Sequence, residues 1–443
     1  MRDELGELPD EGANDDPDGV TPGVSVEDAE DALLEGDRTI ATGTARAALA
    51  YPVFRTVYIG SLLSNIGSWM QNVVTAAFAY DLTRDPTVVS IVSFSQLGAL
   101  LLLSLVGGAL ADRFDRKMLL ILVSIEQAFF SLVLAWIARG SEPSIAGLVL
   151  VTAAIGIGQA IYAPTYSALL PILVKKRDLA GAVSLNSANM NLSRVVGPAI
   201  GAFAYAKVGA SWVFVANALT YAFIIGALLM VKLPPAAPRA DGEETGLKRV
   251  VEGFKVAAND RVIKRCLVTM ATFSLLALPF VVQMPTLAAV NFGIEPKSFA
   301  YGLLYAAFGL GALIGALSIG TFLAGHSLET IVRLGLGGFS LALATFALLR
   351  NSAPAYPMAI IVGFCYFATV TSLSTVLQKR LDDSVRGRVM AIWVMAFGGA
   401  VAIGGLIAGP VIEWTSVTAV TLFGAVVAAL LIFYADLRDP DPT

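Results

Sequence analysis

The sequence predicts an all-α polytopic membrane protein, with twelve transmembrane helices in two pseudo-symmetric six-helix bundles. Three observations predict it. The 443 residues are 56% hydrophobic and 14% charged, against about 25% charged for soluble domains, and the mean hydropathy is +0.73. Twelve apolar runs follow one another after residue 52, separated by short polar breaks; each is near the roughly 20 residues that cross a bilayer. Two landmarks also recur at one offset. Gly108 and Gly320 close the second and eighth runs, and Gly197-Pro198 and Gly409-Pro410 mark the fifth and eleventh with the same separation. A shared offset is the mark of duplicated halves.

Residues 1–50 hold fourteen acids and three bases among glycines and prolines. That composition buries too little apolar surface to fold alone and predicts a disordered cytoplasmic tail. It has no basic n-region or small-residue cleavage site, so it is not a signal peptide. The formal net charge of −4 is set by this tail, and the remainder is net basic.

The first bundle, 51–232, contains the runs 53–82, 87–111, 118–138, 144–173, 186–206 and 211–231. A cytoplasmic linker, 233–265, opens with the stiff segment Pro234-Pro235-Ala236-Ala237-Pro238 and continues into Leu247–Lys255, an amphipathic basic helix suited to the membrane surface. The second bundle, 266–443, contains 266–290, 298–323, 330–350, 354–377, 388–411 and 416–436. Lys and Arg concentrate on the side of the tail and linker, leaving Arg84, Arg139, Lys207, Lys297 and Arg350 opposite. The positive-inside rule then puts both termini in the cytoplasm.

The break between the second and third runs, Gly107 to Lys117, squeezes five charges into a tight turn. Its glycines allow another helix to approach closely. Asp112 can face helix-end dipoles or pair with Arg113, Arg116 or a charge elsewhere, and a plain positive-inside anchor is the alternative. The corresponding turn, Gly320 to His326, has lost the Asp-Arg charges. Any charge-based lock here therefore belongs to the first half.

Polar residues inside membrane helices are costly and mark function. Ser61, Asn65, Ser68 and Asn72 recur at helical spacing on the first run, beside Trp69 and Gln71. Gln159, Tyr162 and Tyr166 share a face of the fourth run; Tyr301, Tyr305 and Phe308 share one of the eighth. Two charges, Glu126 and Arg194, lie about two turns from the cytoplasmic ends of their runs, where they can pair or join a conformational network with Asp112. Asp81, near the outer end of the first run, is the better proton-coupling candidate, because a carboxylate in a closing vestibule can have a raised pKa.

Several chemistries are excluded. Cys266 and Cys365 sit in or beside apolar runs, and His326 is the lone histidine. No metal site, disulfide framework or cofactor is expected. A Gly-rich phosphate loop with Lys-Ser/Thr and a His-Glu-x-x-His motif are both missing, so neither an enzyme nor an ATP-driven pump is expected.

The turn resembles the signature of the major facilitator superfamily, G-x-L-x-D-R-x-[GD]-R-K, matched by Gly108, Leu110, Asp112, Arg113, Asp115, Arg116 and Lys117. Ser193 to Ala202 is similar to the fifth-helix exporter signature ending G-x-x-x-G-P-x-x-G-G, with Ser193 and Ala202 in place of two glycines. Gly197, Pro198 and Gly201 are retained, and together they make a bend able to seal or open one side. Tyr80-Asp81-Leu82-Thr83, Tyr162-Ala163-Pro164, Asn217-Ala218-Leu219-Thr220-Tyr221 and Arg386-Gly387-Arg388-Val389 resemble the bacterial exporter branch that includes the enterobactin exporter.

The resemblance implies two bundles rocking about a central cavity, with the Gly108–Lys117 loop latching one conformation. It implies a lining from the first, fourth, seventh and tenth helices, which adds Gln283, between Pro279 and Pro285, and Tyr366. The expected function is secondary export of small amphipathic, drug-like or siderophore-like molecules, with proton antiport, by a monomer in the bacterial inner membrane. Its partners are the substrate, protons and lipid, not nucleic acid. A facilitator or importer of the same fold and a non-transporting scaffold or receptor are the alternatives. The fourth-helix arginine of many proton-coupled drug exporters is missing from Val149 to Gly158, so other residues must carry any protons.

Overall fold

The computed structural model describes residues 41–232 and 247–438; most of the acidic tail and the Pro234–Pro238 segment lie outside them. The apolar runs form helices, because a backbone in hydrocarbon must satisfy its polar groups within its own segment. In the first half these are α1 (Ala45–Leu49), α2 (Pro52–Thr83), α3 (Pro86–Arg113), α4 (Arg116–Ile137), α5 (Ile145–Leu173), α6 (Leu179–Val208) and α7 (Ala210–Met230). The second half has α8 (Leu247–Asn259), α9 (Arg261–Thr272), α10 (Pro279–Val282), α11 (Met284–Phe292), α12 (Phe299–Ser318), α13 (Leu328–Leu348), α14 (Ser352–Arg380), α15 (Asp383–Val394), α16 (Ala400–Trp414) and α17 (Val417–Tyr434).

Local chemistry sets the ends. Pro52 and Pro86 occupy first-turn positions, where the missing N–H costs nothing. Asp85, Asp115, Ser144, Ser298, Ser327 and Ser416 cap the helices that follow them through their side chains. Gly209, at φ 86°, turns the chain from α6 into α7.

Among the described residues, eight helical spans are long and apolar enough to cross a membrane: α4, α5, α7, α12, α13, α14, α17 and the stretch Val385–Trp414. On α4, Met118, Leu122, Ile125, Phe129, Leu132 and Trp136 form one exposed apolar stripe at helical spacing, the face a helix turns to lipid. The chain from Arg261 to Phe292 is interrupted by a π-turn at Phe273–Ala277 and by Pro279 and Pro285. Helix α2 is 32 residues long but spends its polar residues on its neighbours. Asn65 donates to Asn189 on α6 at 3.0 Å, Asn217 on α7 donates to Gln71 at 3.0 Å, and Ser68 meets the Tyr221 hydroxyl at 3.1 Å.

Neighbour relations repeat between the halves. Helix α3 packs on α5 as α12 packs on α14, α4 on α5 as α13 on α14, and α4 on α7 as α13 on α17. Glycines make the closest of these contacts. A Cβ at Gly107 would lie 2.3 Å from the Ala160 carbonyl on α5, and one at Gly311 1.9 Å from the Ile360 carbonyl on α14. The halves meet along two seams, α6 with α12 and α3 with α16.

Two segments differ from the sequence reading. The chain joins the helical body ahead of residue 51: the Gly43 N–H and Tyr51 hydroxyl both donate to Asp178, at 2.9 and 2.7 Å, and Ala47 and Ala48 are buried. Helix α8 docks on α15, where Gly253 lies close to Arg388 and Ile392.

Candidate functional site

A cavity of about 210 Å³ lies between the halves. The first half contributes Trp69, Asn72, Val73 and Ala76 from α2, Ser93, Gln96 and Leu97 from α3, and Arg194 from α6. The second contributes Val281, Val282, Pro285, Tyr301, Tyr305, Phe308, Tyr366, Phe367, Phe397, Gly398 and Val401. Phe308 and Tyr366 stack at 6.0 Å, and Tyr366 meets Phe367 edge-on at 4.6 Å. The second-half wall is therefore a packed aromatic surface. Opposite it, Gln96 donates to Asn72, holding both amides in place.

Among the described residues, Arg194 is the one charged residue in this lining. Its guanidinium carbon lies 4.9 Å from the Trp69 ring centre and 4.7 Å from that of Phe367, so aromatics from both halves cover it. Pro198, inside α6, sits just beyond. Pro198 has no N–H to give the Arg194 carbonyl, and that carbonyl lies 3.1 Å from where a Cβ at Gly309 of α12 would sit. Gly197 and Gly201 pack against Trp69 and Met70 of α2, and Gly302 of α12 is pressed against Ala202.

Among the described residues, a cluster of polar bonds joins the halves at the end of the molecule holding residues 84–90. Arg84 pairs with Glu295 at 3.0 Å. Thr87 donates to Glu413, and Ser90 donates to the Gly405 carbonyl at 2.6 Å. Gln283 donates to the Pro86 carbonyl at 2.9 Å and to Ser90 at 2.8 Å. Asp81 belongs to this cluster, pairing with Arg84 at 3.2 Å and accepting from the Tyr205 hydroxyl at 3.1 Å.

At the opposite end, Arg116 donates to the Ala111 and Ala168 carbonyls at 3.4 and 3.3 Å, and Lys117 to the Val231 carbonyl at 2.7 Å. Cations at helix C-termini satisfy orphan carbonyls and favour the dipole. These bonds hold the turn to its own half. Arg113 is exposed, the Asp112 side chain lies outside the described residues, and Gly108 faces open space while Gly107 makes the close contact.

The sequence-derived site residues thus divide. Trp69, Asn72, Tyr305 and Tyr366 line the cavity, and Arg194, expected in a network with Glu126, joins them. Asn65 clamps α2 to α6 instead, and Gln283 ties the halves at the bonded end. Tyr162 and Tyr166 stack on each other at 5.8 Å inside a separate core of the first half. Gln159 is half-buried beside that stack, off the cavity lining. Glu126 packs against Gly158 of α5, where its Oε2 is buried with no hydrogen-bond partner, and it forms no pair with Arg194. Sequence reasoning passed over Ser93, Gln96, Phe367 and Phe397. Gln96 carried a usable signal, an amide in an otherwise apolar run.

A lipid-facing helical body with a polar and aromatic cavity between two similar halves defines a membrane transport protein. Its lineage follows from comparison with known proteins: residues 43–440 match the transmembrane secretion effector model, and the chain belongs to that family of the major facilitator superfamily. It is 26% identical over 401 residues to the enterobactin exporter EntS of Citrobacter koseri, covering 86% of this chain and 91% of that protein. It is also 26% identical over 359 residues to the staphyloferrin A transporter of Staphylococcus aureus, covering 79% and 87%. In fold it is similar to the nucleoside transporter NupG, with a TM-score of 0.69 at 16% identity over 87% of this chain and 98% of that one. A bacterial homologue of the iron transporter ferroportin, in an inward-facing state, gives 0.67 at 15% identity over 87% and 98%. These relatives and fold neighbours are membrane transporters, not enzymes.

Proposed function

We propose that this chain is a secondary transporter that exports small amphipathic, siderophore-like molecules across the bacterial inner membrane by alternating access, in exchange for protons. One observation carries the reading: a cavity lies between two halves that a cluster of polar bonds joins at the residue 84–90 end. Two six-helix bundles, 51–232 and 266–443, with cytoplasmic termini put the residue 84–90 end outside. The arrangement is then sealed outward and receives substrate from the cytoplasm. Gly197, Pro198 and Gly201 supply the bend at which the α6–α12 seam parts. The Gly108–Lys117 turn, with Asp112, Arg113 and Arg116, latches the opposite end after the halves rock.

Coupling falls to carboxylates on the first half. Glu126, buried in a membrane helix with an unpartnered oxygen, is an intramembrane carboxylate placed to take up the proton. Asp81, tied to both Arg84 and Tyr205, links protonation to the outer seal. Siderophore transport is supported by both relatives, and export by the enterobactin exporter.

Everted membrane vesicles containing the full chain test this reading. Saturable uptake of a catecholate or citrate-type siderophore, driven by an acidic interior and abolished by a protonophore, is expected. Glu126→Gln should lose the gradient-driven component and keep counterflow exchange. Uptake no greater than in vesicles lacking the protein would overturn the transport reading, and gradient-independent uptake would remove proton antiport.

A further inference from the structure

We infer that the cavity selects its substrate by charge, with Arg194 as the binding residue for an oxyanion on an aromatic or otherwise apolar molecule. The inference deepens the transport reading and rests on it only for movement across the membrane, not for binding. A guanidinium within a membrane body is expensive to keep unpaired. Among the described residues, no carboxylate pairs with Arg194 and no acceptor takes a hydrogen bond from it.

Its surroundings leave it poised rather than neutralised. Trp69 and Phe367 lie at 4.9 and 4.7 Å, holding the planar group through its faces. Stacking of that kind leaves the N–H edge free, and that edge is the fork that takes a carboxylate or catecholate in two parallel bonds. A second group waits nearby. Tyr301 lines the same cavity, is 1% exposed, and its hydroxyl has no hydrogen-bond partner. A buried, unpartnered hydroxyl is a donor without its acceptor.

Among the described residues, no acidic side chain lines this cavity to offset the positive charge. An anionic amphiphile brings the missing countercharge and an apolar body for the wall formed by Phe308 and Tyr366. A lipophilic cation meets an unscreened guanidinium instead. Because Trp69 and Phe367 come from different halves, an anion on Arg194 sits at the contact that opens and closes.

The test is equilibrium binding to the purified full chain in detergent, read by quenching of tryptophan fluorescence. Three aromatic probes represent the three charge classes: naphthoate, its neutral alcohol analogue and tetraphenylphosphonium. The wild type should bind naphthoate about tenfold or more tightly than the alcohol, the range expected for hydrogen bonds to a charged group, and should exclude the cation. Arg194→Gln should erase the preference between naphthoate and the alcohol. Arg194→Lys keeps the charge without the fork and should fall between the two, while serving as a folded comparison. Equal binding of naphthoate by the wild type and Arg194→Gln, absence of naphthoate binding, or tight wild-type binding of the cation would overturn the inference. Naphthoate binding without transport in vesicles would leave the anion site standing and overturn only the transport reading.

Discussion

Gly302→Val places a side chain at the α6–α12 seam, where the halves touch and each half's own core is not involved. A Cβ at Gly302 would lie 2.1 Å from the Ala202 Cβ and 3.2 Å from the Pro198 carbonyl oxygen. Carbon atoms at contact sit about 3.5–4.0 Å apart, so the seam must open by roughly 1.5 Å. Overpacking of this kind costs about 1–3 kcal/mol. The cost falls on the conformation with the residue 84–90 end sealed, and such a bias shifts a two-state population by about 5- to 150-fold. The assay is alkylation of Ser93→Cys, in the cavity, by an impermeant maleimide applied from that end. Background is low because Cys266 and Cys365 are 0% and 9% exposed. Labelling should rise at least about fivefold in Gly302→Val. It should not rise in Gly226→Val, where an added Cβ meets nothing within 4 Å. Unchanged labelling at normal yield would refute the seam as the moving contact.

Two further outcomes follow from packing and charge. Gly107→Val forces α3 from α5, with its Cβ 2.3 Å from the Ala160 carbonyl; it should lose about 1–3 kcal/mol of thermal stability, whereas Gly108→Ala, facing open space, should be silent in melting. Asp260 caps α9 through the Val262 and Ile263 N–H groups and pairs with Arg380 at 2.9 Å. Burial raises its carboxyl pKa, but the two N–H groups and the guanidinium outweigh that and hold it below the usual carboxylate range. A depressed folded pKa contributes stability above the unfolded value, about 4, and that contribution is lost as pH falls through the folded value. Asp260→Ala should therefore cost about 1 kcal/mol at neutral pH. Asp260→Asn should retain the cap and flatten the acid limb of a melting-temperature profile below about pH 4.

Length and punctuation made the helices legible. Apolar runs of near-bilayer length, Pro52 and Pro86 at first-turn positions, and side-chain caps such as Asp85 and Ser144 are local signals, and the helices follow them. The cavity was less legible, because helical spacing says which residues share a face and not which neighbour that face meets. Tyr162 and Tyr166 share a face of α5 as their spacing requires, yet that face meets a core within the first half. The polar stripe of α2 divides for the same reason: Asn65 finds Asn189 on α6, while Asn72, two turns on, reaches the cavity. Arg194 and Glu126 sit at similar depth in their apolar runs, but they belong to different contacts, one between the halves and one between α4 and α5. Only tertiary packing separates them.

Transport by rocking halves requires the end sealed by residues 84–90 to open. Arg84 and Glu295 span the halves there, with side chains 51% and 66% exposed, and a pair so exposed contributes about 0–1 kcal/mol. The double variant Arg84→Cys/Glu295→Cys keeps the Asp81–Tyr205 bond and should therefore retain measurable uptake while its thiols are free. Joining the thiols with a short, reducible bifunctional reagent and measuring siderophore uptake in vesicles tests the claim directly. Uptake should stop on cross-linking and return on reduction. Full-rate uptake by the cross-linked protein would contradict the account.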